Sequence, residues 1–339
     1  MAQHEIFVDL NHYRLTHGPI MVSFDTTQLC NLRCVHCFNN SGDQAPNPDL
    51  PREQRLDIAR QIAEMHPFNV CMCGGESLCC SDLFDIMDVL RPHVGKLSMV
   101  SNGFLMTSEM ARRLVEHGLD LAQISIDGAN AWQHDSFRGV QGSFDRAVAA
   151  VRNLIAAGIS SVDVSMVPNR LNWQSLEEYT ELCHDLGVHQ IRLMPFLPSG
   201  RGRSMGRPLM LDEEGYFRFR RELWRLSERY GNQIRIEWDD PLQVILGMPG
   251  RMGTNEKEPM LEIRADGQLA LTSYLPILMG DCTADGAMGN LRSAFAAARS
   301  VPQVRDYVCA IHNVYDWDLL DPLPYGEESI QLDLLEGTT

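Results

Sequence analysis

The chain has 339 residues, of which 44% are hydrophobic and 22% charged, with a formal net charge of -16. That supplies apolar material for a sizeable core, and the acidic balance argues against nucleic acid as a partner, since such binders present a basic face. Ten cysteines in a chain this long are too sparse for a disulfide framework and point instead to metal-binding or catalytic thiols.

Taken in chain order, the first residues, MAQHEIFVDLN, lack the basic start and apolar core of a signal peptide. No run of about 18 apolar residues occurs, so no membrane span is expected, and the location read from this is cytoplasmic. Residues 1–19 form an N-terminal extension. From 20 to about 196 short apolar runs alternate with helical periodicity. Strands are expected at 20–26, 69–73, 96–101, 121–126, 162–167 and 190–195, and helices over 52–65, 108–117, 144–156 and 174–186. Buried strands alternating with helices make a parallel sheet with right-handed crossovers. Six such units give an α/β fold, a partial (β/α)6 barrel over residues 20–210, with its chemistry on loops at the strand C-terminal ends. A helix over 211–230, with Tyr216, Phe219 and Trp224 read as core contacts, and a strand at 234–238 come next. After a Gly/Pro/Met-rich break at 247–253, MLEIRADGQLALTS reads as a hairpin turning at Asp266 and Gly267. A short helix near 293–299 and an acidic tail complete a small α+β C-terminal lobe, residues 211–339, expected to cover the barrel mouth.

The loop after the first strand reads CNLRCVHC, with Cys30, Cys34 and Cys37. The C-x3-C-x2-C spacing lets one loop hold three irons of a cubane cluster and leaves the fourth without a protein ligand; soft thiolates suit such clusters. A zinc site would want a fourth ligand, and His36 stands too near in sequence to supply it comfortably.

With Asn31 after the first cysteine and His36 before the last, this motif resembles that of the radical S-adenosylmethionine (radical SAM) superfamily. The resemblance implies a [4Fe–4S] cluster on Cys30, Cys34 and Cys37 that reduces SAM bound at the open iron, yielding a 5'-deoxyadenosyl radical that takes hydrogen from a substrate. It also implies an electron donor such as flavodoxin or ferredoxin. CGGES at 73–77 resembles the family's GGEP with Ser77 in place of proline: Gly74 and Gly75 would let the backbone approach SAM, and Glu76 would accept from its ammonium group. By the same resemblance Ser101 and Asn102 in SNG, and Ser125 and Asp127 in SIDG, line the SAM site, the latter two at its ribose and methionine portions. Arg138 would hold the SAM carboxylate, and Met194, opening the LMPFLPSGRGR bridge, is a further cofactor contact.

That bridge resembles the one in family members with a SPASM or twitch extension, which usually carries auxiliary clusters. Beyond residue 250 only Cys282 and Cys309 remain, too few for a second cubane. They are read as core residues, with a hydrogen-donor role to a substrate radical as the alternative. Cys71 and Cys73 share one strand face, and they, Cys79, Cys80 and Cys183 are read as buried. Arg201, Arg203 and Arg207 form a cationic loop after the sixth strand, and Arg201 and Arg203 are candidates to hold a substrate carboxylate. With only about 19 residues before the first strand, too few for a leader-binding domain, the expected substrate is a small anionic sugar or nucleoside. Cytosylglucuronate decarboxylases of antibiotic biosynthesis are the resembling group, and a lyase reaction is expected. A peptide maturase, forming thioethers or epimers, is the second reading, and a non-catalytic iron–sulfur or zinc module the third.

Overall fold

The computed structural model describes residues 21–44, 48–239, 261–272, 275, 277–283, 301–311, 316 and 330–331. Strands β1 (Met21–Thr27), β2 (Asn69–Gly74), β3 (Lys96–Ser101), β4 (Leu121–Ser125), β5 (Ser161–Met166), β6 (Gln190–Leu193) and β7 (Arg235–Trp238) lie side by side in chain order, each parallel to the next. Strands from the C-terminal part join the free edge of β1. There β8 (Leu261–Ile263) runs parallel to β1, and β9 (Gln268–Ala270), β10 (Ile277–Asp281) and β11 (Ile330–Gln331) continue outward. The hairpin between β8 and β9 turns at Gly267, whose φ of +83° favours a residue without Cβ.

Alternation along the strands separates two chemistries. Val22 and Phe24 of β1, Val70 and Met72 of β2, and Val162 and Val164 of β5 are fully buried in one apolar core. That core is shared with helices α1 (Arg52–Glu64), α2 (Leu83–Leu90), α3 (Ser108–Glu116), α4 (Ala131–Arg138), α5 (Ser143–Ala156) and α6 (Leu176–Leu186), whose apolar stripes belong to the same cluster. Because successive side chains on a strand point to opposite faces, the residues between them face the inside of the curved sheet. These are polar: Ser23, Asp25, Ser98, Asp163 and Arg192, with Cys71 and Cys73. Arg192 Nε stands 3.4 Å from Asp163 on the neighbouring strand. Burial raises the Asp163 carboxyl above its usual range, partly offset by that guanidinium. A polar barrel interior suits a chamber for polar guests better than a packed core.

Three helices escaped the sequence reading, two of them in the barrel. In α4 the apolar periodicity is weak, since the buried residues include Gln133 and His134. Asn130 caps it by accepting from the Gln133 amide at 3.1 Å, and Gly139 at φ +77° ends it. Helix α2 is short and follows the GGES turn within a few residues. The helix expected at 211–230 spans Glu213–Tyr230 (α7), started by the Asp212 carboxylate accepting from Gly215. Its aromatics divide: Phe219 is fully buried, the Tyr216 hydroxyl accepts from the Phe196 amide, and Trp224 is 70% exposed. Trp224 is therefore no core contact; it lies on the solvent side of an amphipathic helix. Helix α8 (Pro302–Ala310) was not anticipated. The break at 247–253, the helix near 293–299 and the acidic tail lie outside the described residues.

Candidate active site at the strand ends

The cysteine loop leaves β1 at Thr27 and is tied down by its own backbone: Cys30 N–H donates to Gly42 at 2.7 Å, and Cys37 N–H to Cys34 at 3.3 Å. The turn after β2 packs on its base. Gly75 N–H donates to the Thr27 carbonyl at 2.8 Å and Glu76 N–H to that of Leu29 at 2.9 Å. A Cβ on Gly74, at φ +123°, would stand 2.3 Å from the Thr27 oxygen, and one on Gly75 2.2 Å from that of Leu29. The two glycines are thus required by loop-on-loop contact, whatever they also allow a ligand to do.

The three thiols are free and sit among donors aimed at sulfur. Leu32 N–H points at Cys30 Sγ from 3.4 Å, Asn102 Nδ2 at the same atom from 3.7 Å, and Arg138 Nη1 at Cys34 Sγ from 3.8 Å. Burial pushes the Cys30 thiol up to about 12 and raises Cys34 as well, with Arg138 opposing it there. Protonated in the bare pocket, these sulfurs would lose their protons to a bound metal. Among the described residues no three His, Cys, Asp or Glu side chains converge as a site for one ion. A cubane asks for a different arrangement, one thiolate for each of three irons, and the loop with its sulfur-directed donors fits that.

Glu76 is buried and takes three hydrogen bonds: from Leu78 N–H at 3.2 Å and the Ser101 hydroxyl at 2.9 Å on Oε1, and from Asn102 N–H at 2.8 Å on Oε2. Burial raises its carboxyl, and these donors partly offset the rise. Oε2 keeps a lone pair for an incoming cation. The Ser77 hydroxyl donates to the Cys73 carbonyl at 3.0 Å, closing the turn where the family has proline. Ser125 ends β4 buried, and Met194 is half-buried just past β6, its N–H donating to Met166 at 3.2 Å.

Asp127 and Arg138 are brought together directly. Nε and Nη2 of Arg138 both lie 2.6 Å from Asp127 Oδ2, while Asp127 Oδ1 accepts from Val167 N–H at 2.8 Å. Burial would raise the Asp127 carboxyl, but the Arg138 charge, together with His36, His134 and the Val167 N–H, holds the group below the usual range. His134 Nδ1 accepts from Asp127 N–H at 3.0 Å. With Nη1 on Cys34, Arg138 is committed to the cysteine loop and to Asp127 in this state, and meets a SAM carboxylate only by sharing those bonds.

Arg201 requires a correction. The sequence places it at the barrel mouth as a substrate contact, but its guanidinium is buried and turned into the cysteine loop. Nε donates to the Cys34 carbonyl at 3.0 Å, Nη1 to Asn40 at 3.1 Å and Nη2 to the Ser41 carbonyl at 2.6 Å, while its N–H donates to Cys37 at 2.9 Å. Gly200 beside it, at φ +52°, leaves no room for a Cβ, which would stand 2.3 Å from the Phe38 carbonyl. Arg203 lies half-buried in the following helical turn, Gly202–Gly206, and Arg207 is exposed. Cys282 is also displaced from its candidate role as hydrogen donor. It is fully buried in the apolar core with its carbonyl facing Gln61 of α1 at 3.4 Å, on the helix side of the sheet, and burial raises its thiol strongly. Cys309 is half-buried on α8.

A curved parallel sheet with a three-cysteine loop at its first strand end defines an iron–sulfur α/β barrel. Residues 25–183 match the family model described as the radical SAM superfamily, and the chain carries a domain of that family, whose cofactors are a [4Fe–4S] cluster and SAM. Over 188 residues the chain is 38% identical to the mycofactocin maturase MftC of Mycobacterium tuberculosis (strain CDC 1551 / Oshkosh), covering 56% of this chain and 47% of that protein. It is 29% identical over 188 residues to the AdoMet-dependent heme synthase of Methanosarcina barkeri, covering 56% of this chain and 54% of that one. The chain spans about half the length of the curated relatives it matches. Among solved structures, Streptococcus suis SuiB bound to precursor peptide SuiA gives a TM-score of 0.67 at 11% identity over 96% of this chain and 77% of that one. Native anSMEcpe with bound AdoMet gives 0.62 at 16% identity, covering 78% of each. At these identities the likeness is one of fold.

Proposed function

We propose that this chain is a radical SAM enzyme that modifies a peptide, with its cluster on Cys30, Cys34 and Cys37 and SAM across the strand ends at Gly74, Gly75, Glu76, Ser101, Asn102, Ser125 and Asp127. The observation that carries the substrate class is the 38% identity over 188 residues to a maturase, MftC. It supports the second sequence-based reading, the peptide maturase, over the first. The sugar or nucleoside reading leaned on arginines at the barrel mouth, and Arg201 faces the cysteine loop instead.

The bound cofactors would supply a reducing electron and a carbon-centred radical. This chain's residues hold and orient them: donors on Cys30 and Cys34 favour charged sulfur, Glu76 offers an acceptor to an ammonium group, and the Asp163–Arg192 pair lines the chamber beneath. Electrons would come from a flavodoxin or ferredoxin. The test is anaerobic incubation of the reconstituted protein with SAM, a reductant and the short peptides encoded beside its gene, in parallel with uronate nucleosides. A mass change in one peptide, with deuterium passing from that labelled peptide to 5'-deoxyadenosine, is expected. Transfer from a nucleoside, with the peptides untouched, would overturn the reading.

A further inference from the structure

Two thiols inside the barrel have no part in holding a cluster. Cys71 and Cys73 of β2 lie with their sulfurs 3.4 Å apart, Cys73 as donor. Both face the polar interior, because Val70 and Met72, which alternate with them, are fully buried in the helix-side core. Across the sheet Cys71 pairs with Ser23 on one side and Ser98 on the other, and Cys73 pairs with Asp25. Cys73 is only partly buried and directly precedes the Gly74–Gly75–Glu76 turn, where the SAM site is proposed. A thiol pair in ordinary core packing would sit among apolar side chains; this one sits among hydroxyls and a carboxylate, at the end of the strand where radical chemistry begins.

We infer that Cys73 and Cys71 form an interior dithiol that donates a hydrogen atom to carbon-centred radicals in the barrel. The step is downhill because an S–H bond is weaker than the C–H bond it makes. The Cys73 S–H breaks and a C–H forms, leaving a thiyl on Cys73. Cys71, already in contact, adds to it as its own proton leaves toward Asp25, so the unpaired electron is shared in a three-electron sulfur–sulfur bond. One electron from a flavodoxin, ferredoxin or chemical reductant and two protons then restore both thiols. The uneven sharing already present fits this order: the hydrogen bond from Cys73 lowers the Cys71 thiol and raises that of Cys73, which keeps the proton it would give away. The inference rests on the radical chemistry of the domain and not on the substrate class.

The test needs no substrate. The full chain with reconstituted cluster is given SAM and titanium(III) citrate in D2O, with no added thiol. S–H exchanges with D2O and carbon-bound hydrogen does not, so 5'-deoxyadenosine formed by uncoupled cleavage should carry one deuterium from Cys73. Cys73→Ser should lose that label, and Cys71→Ser should label on the first turnover and then stop. Cys79→Ser should label like the parent. Iron content and SAM binding, measured on the same samples, should match the parent in all three, which separates the effect from misfolding. Unlabelled 5'-deoxyadenosine from the parent, or label that survives Cys73→Ser, would overturn the inference and leave the proposed peptide chemistry standing. No SAM cleavage at all would remove the radical reading and the inference with it.

Discussion

Arg201 donates from Nε to the carbonyl of Cys34 at 3.0 Å, across 167 residues of chain. The same guanidinium reaches Asn40 and the Ser41 carbonyl, so one side chain ties the middle of the cysteine loop to the segment that follows it. Replacing it takes the Arg201 donor from the Ser41 carbonyl and leaves the Cys34 carbonyl with the longer 3.3 Å bond from Cys37 N–H. Arg201→Ala should weaken retention of the cluster on the order of 10-fold, the scale seen for residues that support metal ligands. Iron per chain after anaerobic gel filtration is the measurement, with partial recovery expected on adding guanidinium ion at low concentration. Gly200→Ala, which drives a methyl into the Phe38 carbonyl, should lose iron similarly. Retention unchanged in both variants would refute the clamp.

Removing all three loop thiols is the direct test of the cluster site. The Cys30→Ala, Cys34→Ala, Cys37→Ala triple variant should reconstitute without iron, where the parent takes up about four irons in the manner of a [4Fe–4S] centre. Visible absorption and iron analysis decide it.

Glu76 joins three donors, one from the turn after β2 and two from the end of β3, while keeping an acceptor position open. Glu76→Gln retains part of that network and removes the charge. It should weaken SAM binding by about 1–3 kcal/mol, the cost of an under-satisfied charged donor. Equilibrium dialysis with labelled SAM reads this, and an unchanged affinity would count against the placement.

The Asp127–Arg138 pair is nearly sealed from solvent, with side-chain exposures of 0% and 12%. Breaking such a pair strands a charge. Arg138→Met should destabilise the fold by about 3–5 kcal/mol, and adding Asp127→Asn should recover part of it. Urea midpoints for the single and double variants check the prediction.

His134 gives a pH signature. It is buried, its Nδ1 accepts from Asp127 N–H, and burial with the nearby Arg138 charge lowers it from 6.5 to about 4. The unfolded chain therefore binds a proton at pH values where the folded chain does not. The stability from neutral His134 is whole above pH 6.5 and declines as pH falls toward 4, by about 3 kcal/mol. His134→Asn, which can still accept from Asp127, should flatten that part of the profile of unfolding free energy against pH.

Much of this was legible in the sequence because the barrel repeats a local signal. All six strands appear within two residues at each boundary, since each is a short run of β-branched and apolar residues before a turn. The cysteine loop could be read because its chemistry depends on spacing along the chain. Arg201 could not, because its partners lie on a loop far away in sequence, and a basic run reads the same whether its guanidinium faces a ligand or a carbonyl. Cys71 and Cys73 show the limit differently. Alternation gave them a common face, but which face was inside depended on the polar neighbours Ser23, Asp25 and Ser98. Helix α4 was missed although its Asn130 cap and Gly139 stop stand in the sequence, because two buried polar residues blurred its stripe.

Strand β1, which introduces the cysteine loop, has β2 on one side and β8 on the other, and its two neighbours are made at very different times. A ribosome adding about 5 to 20 residues per second delivers β2 within seconds and β8 about 10 to 50 s after β1 has emerged. Through that interval one row of β1 backbone donors and acceptors has no permanent neighbour, an open template for strands of other nascent chains. The hazard belongs to biosynthesis and vanishes once residues 261–263 arrive. Translation speed and chaperone supply, more than the sturdiness of the finished sheet, would then set how much intact protein a cell recovers.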